Sequence, residues 1–182
     1  MRGTDPVSAR RTFKAACAAL AQAVEDGACG GWGISAWDTA TPALIVSGSS
    51  LEARPDVLMI RAGLTVSARH LRASRDLIRA LRPNAAWGMS PFGGAPQDPL
   101  WNIIDARDFI QDGTAHDRYQ AAFRVAAELP QVELVVTGTR DHEHLRQLSM
   151  ASTLRVNSAM IGRYTTLLES RALIPVDATH PG

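Results

Sequence analysis

An arginine inside an apolar run is the first residue here that calls for chemistry. In "DVLMIRAG" (56–63), Arg61 falls on the alternating face of Val57 and Met59, so a strand would aim its guanidinium alongside two apolar side chains. A guanidinium in apolar surroundings needs an anion, either a substrate carboxylate or phosphate or an internal aspartate. Asp38 directly follows the apolar stretch "GWGISAW" (31–37), where it could act as a general base or cap the turn before Thr39-Ala40-Thr41. Other groups with chemical potential stand at the ends of apolar runs: Ser35 and Trp37, Met89 and Ser90, and Thr139 and Arg140. Trp37 and Trp101 occupy expected loop positions from which an indole can wall a ligand, and Met59 and Met89 would line the same space.

Several chemistries are set aside by residue type and spacing. Lys14 is the only lysine and sits in an N-terminal helical stretch, which argues against Schiff-base chemistry. Cys17 and Cys29 form no CxxC pair and read as reduced thiols of a cytoplasmic protein. In "DHEHLRQ", His142 and His144 face different directions on a helix, whereas chelation from one helix wants i, i+4 spacing. Asp141 is therefore expected as an N-cap, and no metal site is predicted. His70 and His180 read as a surface helix position and a tail residue, and no Ser-His-Asp or Cys-His order is supported. Neither a P-loop nor a Rossmann fingerprint occurs. A net charge of +1 suggests no nucleic-acid or acidic-membrane partner. No apolar run reaches membrane-spanning length, and "MRGTDPVSARR" lacks the apolar core of a signal peptide.

The elements that must position these groups follow from hydrophobic period and breakers. Residues 8–26 are Ala-rich with helical spacing and Gly27 placed to stop them. Strands are expected at 31–37, 56–63, 85–89 and 132–138, with a brief helix or turn after the first. Residues 67–82 form an amphipathic helix with Leu71, Leu77, Ile78 and Leu81 on one side. Further helices are expected at 117–128, from Asp141, and over 158–171, ahead of a polar tail. The connection 90–116 carries Asp98, Asp105, Asp108 and His116 and is a lid candidate. Apolar strands alternating with helices predict parallel β/α units covered on both faces in a single domain spanning 1–182, with its core at about 8–172. The pattern leaves open a choice between a flavodoxin-like sheet and part of a barrel.

Four segments bear on that choice: "GACGGWGISAWD", "PDVLMIRAGL", "NAAWGMSPFGGA" and "ELVVTGTRDHEHLRQL", in this order and at β/α-unit spacing. Together they resemble the C-terminal half of the aldo/keto reductases, NADPH-dependent (βα)8 barrels. The resemblance implies a (βα)4 half of a TIM-type barrel. The family's Asp, Tyr, Lys and His tetrad comes from the first half and has no counterpart here. Tyr119 and Tyr164 lie in helical stretches, and Lys14 precedes the first strand.

The half that is present is the one that holds the cofactor in the family. Ser35 matches the serine that meets the nicotinamide amide, with Ala36 in place of the following Asn. Met59 stands where a Gln completes that contact, and Met89 replaces the stacking tyrosine ahead of Ser90, Pro91, Gly93 and Gly94. Gly138, Thr139 and Arg140 fit the phosphate loop, while Gln147 and Leu148 replace the residues that hold adenine. The phosphate end is thus partly kept and the nicotinamide end lost, so no bound cofactor is expected, with NADPH the alternative.

A half-barrel leaves open edges and an uncovered face, so a homodimer is expected, or a heteromer with another barrel fragment. Three functions follow, in order. The first is a repurposed non-redox catalyst (lyase, isomerase, dehydratase or cyclase) acting on a small anionic metabolite in bacterial biosynthesis. The second is a catalytically silent partner or scaffold of another enzyme, and the third an NADPH reductase with a replacement proton donor.

Overall fold

The Asp5 carboxylate accepts the Ser8 N–H, and Pro6 lacks an N–H to leave unpaired, so the Ala-rich stretch starts as a helix. In a computed structural model of the chain, which describes residues 5–47, 52–94 and 99–172, this helix is α1 (Pro6–Glu25). Gly27, at φ +73°, turns the chain out of it. Then follow β1 (Gly33–Ala36), α2 (Ala40–Val46), β2 (Val57–Arg61), α3 (Ala68–Leu81) and β3 (Ala85–Met89). After a long connection come α4 (Arg118–Ala126), β4 (Leu134–Val135), α5 (His142–Ala151) and α6 (Ser158–Ala172).

The four strands form one sheet in the order β1-β2-β3-β4, and every pair is parallel. A flavodoxin-like sheet would reverse direction at a switch point, and this one does not. Each crossover steps the same way, so right-handed connections stack the helices on a single face. Burial follows that geometry. Leu58, Ile60 and Ala86 point under the helices at 0–4% exposure, while their neighbours Val57, Met59, Arg61, Ala85, Trp87 and Met89 are only half-buried. Coverage of both faces, expected from the unbroken apolar runs, is therefore corrected: the helices cover one face. The architecture is α/β, a four-stranded parallel sheet alternating with helices, compatible with a (βα)4 half-barrel.

Two apolar clusters hold the fold. The first lies between sheet and helices and joins Leu58, Ile60 and Ala86 to Leu77 and Leu81 of α3 and to Val46 of α2. The second gathers Leu64, Val66 and Leu71 with Ala121, Ala122, Val125 and Leu129, and includes Ala106, Phe109 and Ile110 of the long connection. Three short 3-10 turns, Pro99–Asn102, Ala106–Phe109 and Gly113–Ala115, make up that connection. Its second part is bound to the segment ahead of α6: Gln111 N–H donates to Arg155 O and Asn157 N–H to Phe109 O, at 2.8 Å each. Among the described residues no helix is long and apolar enough to cross a membrane.

β4 is shorter than its apolar run. Glu133 N–H donates to Ala86 O and Val136 N–H to Gly88 O, which continue the ladder at either end. The Ala86 N–H, however, goes to the Glu133 carboxylate at 2.6 Å instead of to a backbone carbonyl. Side-chain capture of a ladder donor trims the strand to Leu134–Val135.

Candidate functional site

The parallel order brings the carboxyl ends of β1, β2 and β3 to one rim, with Ser35 beside Met59 and Arg61 beside Met89 in register. Arg61 leaves the sheet on the uncovered face. Its guanidinium carbon sits 4.8 Å from the centre of the Trp37 ring, and Trp37 is 53% exposed. The Arg61 Nε is buried with no hydrogen-bond partner, and no aspartate or glutamate pairs with this arginine among the described residues. Of the two partners expected from sequence, the internal aspartate is thus not found among the described residues. What remains is a cation on an aromatic wall with one donor unspent.

Asp38 sits immediately beyond Trp37 and does more than cap. Oδ1 accepts the Ala40 N–H at 2.9 Å and Oδ2 the Thr41 hydroxyl at 2.9 Å. His70 Nε2 approaches Oδ1 at 3.2 Å. The backbone N–H of Ala40 above all, then the Thr41 hydroxyl, hold the carboxyl below its usual range. A carboxylate so satisfied is a poor base; its use is to hold an imidazole. The other ring nitrogen, Nδ1, lies 2.9 Å from Ser67 Oγ, the N-cap of α3.

A buried hydrogen-bond chain positions that pair. Thr39, 1% exposed, donates its hydroxyl to His70 O at 3.1 Å and accepts from Ser74 Oγ, also 1% exposed, at 3.2 Å. The start of α2 is thereby stapled to the first turns of α3, which fixes Asp38 against His70. Sequence reasoning assigned no role to His70, Ser67, Thr39 or Ser74. The one local signal was Ser67 three residues ahead of His70 at a helix start, a spacing at which an N-cap and an N3 side chain meet.

The loop after β3 encloses the rim. Ser90 takes a left-handed conformation, φ +54°, and Gly93 and Gly94 have φ +76° and +92°. A Cβ on Gly93 would lie 2.7 Å from Thr65 Oγ1, and one on Gly94 3.7 Å from the Trp37 ring. This loop therefore spans from Trp37 to Thr65, two residues before Ser67. Met89 and Ser35 face each other at 3.9 Å, with the hydroxyl directed at the thioether sulfur. Met59 is half-buried on the same open face. Trp101 is elsewhere: its indole N–H donates to Phe92 O at 3.4 Å, and the ring packs against the second apolar cluster.

Gly138 and Thr139 belong to a different place. With Phe92, Tyr119, Gln147 and Leu148 they line an open cleft of about 530 Å³ between the β3 and β4 loops and α5. Thr139 Oγ1 accepts the Asp141 N–H at 3.1 Å, and Asp141 caps α5 by accepting from Glu143 and His144, as its position predicts. Arg140 is exposed beside it. β4 is two strands from β2, roughly 10 Å across the sheet, and the β3 loop, which lines the cleft through Phe92 and nears Trp37 at Gly94, lies between this cleft and the Arg61 rim. The remaining acid/base candidates are scattered. Asp105 caps a 3-10 turn and pairs with Arg107, which holds its carboxyl below the usual range. Asp98 and His180 lie outside the described residues. Among the described residues no three metal-binding side chains gather in one place.

No protein-family model matches the chain, and comparison with curated proteins finds no match.

Proposed function

We propose that the chain is a non-redox catalyst acting on a small anionic metabolite at the rim formed by β1, β2 and the β3 loop. Arg61 holds the anionic group against Trp37, His70 moves a proton, and Asp38 holds the imidazole in place. The observation that carries this is the buried, unpartnered Arg61 Nε, with the guanidinium over Trp37, the residue before the Asp38 that is hydrogen-bonded to His70. Lyase, isomerase, dehydratase and cyclase reactions all use that combination, a fixed anion and a group that removes and returns a proton. Ser35 spent on Met89, with methionines at positions 59 and 89, favours non-redox chemistry over a retained nicotinamide contact. The test incubates the protein, without NADPH, with small hydroxy- and keto-carboxylates and sugar phosphates in D2O, followed by proton NMR. At least one is expected to exchange a C–H or convert, with a loss of tenfold or more in both Arg61→Met and His70→Gln. No conversion, or conversion that both variants keep, would contradict it.

The sheet is, on the same proposal, half of an aldo/keto reductase-like barrel completed by a second copy in a homodimer. Support comes from the one-way strand order and from the half-exposed Met59, Trp87 and Met89 on the uncovered face, with Leu134 47% exposed at the edge strand. Sedimentation at micromolar concentration should give a dimer; a single monomeric species would sink it. The cleft beside Gly138 and Thr139 favours a second reading, in which NADPH binds through its adenosine end and the protein is a reductase with a new proton donor. NADPH binding lost on filling the cleft by Gly138→Trp would support that reading.

A further inference from the structure

Three side chains, Asp38 from the loop after β1 and Ser67 and His70 from the start of α3, form one chain of contacts at the rim: Ser67 Oγ is 2.9 Å from His70 Nδ1, and His70 Nε2 is 3.2 Å from Asp38 Oδ1. We propose that they form a nucleophilic relay through which Ser67 accepts acyl groups from small carboxylic esters that carry a second, anionic group. The proposal rests on the His70–Asp38 pair of the function proposed above and adds to it a nucleophile and a substrate class.

Asp38 settles the imidazole's proton. An ionised carboxylate can only accept, so Nε2 carries the hydrogen and Nδ1 keeps its lone pair toward Ser67. The Ser67 hydroxyl then donates to Nδ1, which is the arrangement that activates a serine. An ordinary N-cap uses its oxygen as an acceptor; here that bond, from the His70 N–H, is long at 3.5 Å, while the hydroxyl proton faces the imidazole at close range. Ser67 is exposed, so an ester can reach it. The N–H groups of Ala68 and Arg69, next in the chain, have no acceptor among the described residues, as expected in a first helical turn, and can receive the oxygen charge that develops on attack.

Two features outside the relay set the substrate. Arg61, with Nε unspent, lies over Trp37, the residue before Asp38, so a carboxylate held there belongs to the same rim. The glycine loop passes close to both Trp37, on which the anchor lies, and Thr65, two residues before the nucleophile. A half-ester of a short dicarboxylic acid carries both of the groups required.

The chemistry balances with water alone. Ser67 Oγ bonds to the ester carbon as its proton passes to His70 Nδ1. The bond from carbon to the alcohol oxygen breaks, and His70 gives the proton to the departing alkoxide. A water then loses its proton to His70 and attacks the acyl-serine, whose C–Oγ bond breaks. Ser67 recovers the proton and the carboxylic acid leaves.

The test treats the full-length protein with a fluorophosphonate probe, followed by peptide mass spectrometry, and measures hydrolysis of p-nitrophenyl hemisuccinate against p-nitrophenyl acetate. The expected results are an adduct on Ser67, a preference for the hemisuccinate that Arg61→Met removes, and labelling slowed tenfold or more in His70→Gln. Ser67→Asn keeps a good N-cap and should fold, yet lose both adduct and hydrolysis. Absence of an adduct on Ser67, or hydrolysis that Ser67→Asn retains, would overturn the relay. If Ser67→Asn still converts a metabolite that His70→Gln cannot, the nucleophile falls while the acid–base function stands.

Discussion

Replacing Arg61 by methionine should make the protein more stable while removing the anion site proposed for it. The buried Nε has no partner, and an unsatisfied buried donor costs ~1–3 kcal/mol. Against that stands the contact of the guanidinium with the Trp37 ring at 4.8 Å, which at a half-exposed position contributes ~0.5–1 kcal/mol. Methionine keeps most of the apolar stem and can pack on the same indole. The balance favours the variant by about 1 kcal/mol, or ~2–4 °C in Tm for a chain of this length. Urea unfolding without added anions, followed by circular dichroism, reads the change directly. A loss of ~1 kcal/mol or more in Arg61→Met would refute the reasoning, because the guanidinium would then be a structural group with its needs met. Residues kept for function at a cost in stability show this signature, and residues kept for packing do not.

Thr39→Val preserves shape but removes one of the bonds to the His70 carbonyl and the acceptor of the buried Ser74 hydroxyl, so about 1 kcal/mol of stability should be lost in urea titration, with loosening of the Asp38–His70 contact. Gly93→Ala forces a side chain into φ +76° and to 2.7 Å from Thr65 Oγ1, for a loss of about 2 kcal/mol, whereas an added Cβ at Gly138 meets nothing within 4 Å and Gly138→Ala should be neutral; thermal melts of the pair check both. Asp38 has its carboxyl held down by the Ala40 N–H and the Thr41 hydroxyl, so its stabilising contribution is complete above the ordinary carboxylate pKa of ~3.9 and is lost as pH falls through the lower folded value. The stability gap between the wild type and Asp38→Asn should therefore narrow between neutral and strongly acidic pH in parallel urea titrations.

Much of the architecture was legible because local rules and packing agree. α3 falls within 67–82 and β3 at 85–89 because apolar period and breakers coincide there, and Asp141 caps α5 as its type demands. Coverage of the sheet was not legible. Val57, Met59, Trp87 and Met89 are as apolar as the helix-facing Leu58 and Ile60, so a half-buried face reads like a covered one. The packing of the long connection was not legible either, because Phe109 and Ile110 belong to the second apolar cluster and the register of 3-10 turns that buries them has no simple period. At the site, Arg61 announced itself by being charged in an apolar run. His70 did not, since its partner Asp38 is 32 positions away and only the β/α crossover brings them together. Asp38 showed both of its possible roles in sequence, yet only the geometry shows that capping and holding His70 use the same carboxylate.

The central claim, an anion site at Arg61 and Trp37, is tested most directly by titrating the protein with malonate and following tryptophan fluorescence. The account predicts a saturable change in the wild type that disappears in Arg61→Met because binding is lost, and in Trp37→Phe because the reporter is gone. No saturable change up to ~10 mM, beyond the usual ~1 μM to 1 mM range of substrate affinity, or the same change in all three proteins, would contradict it.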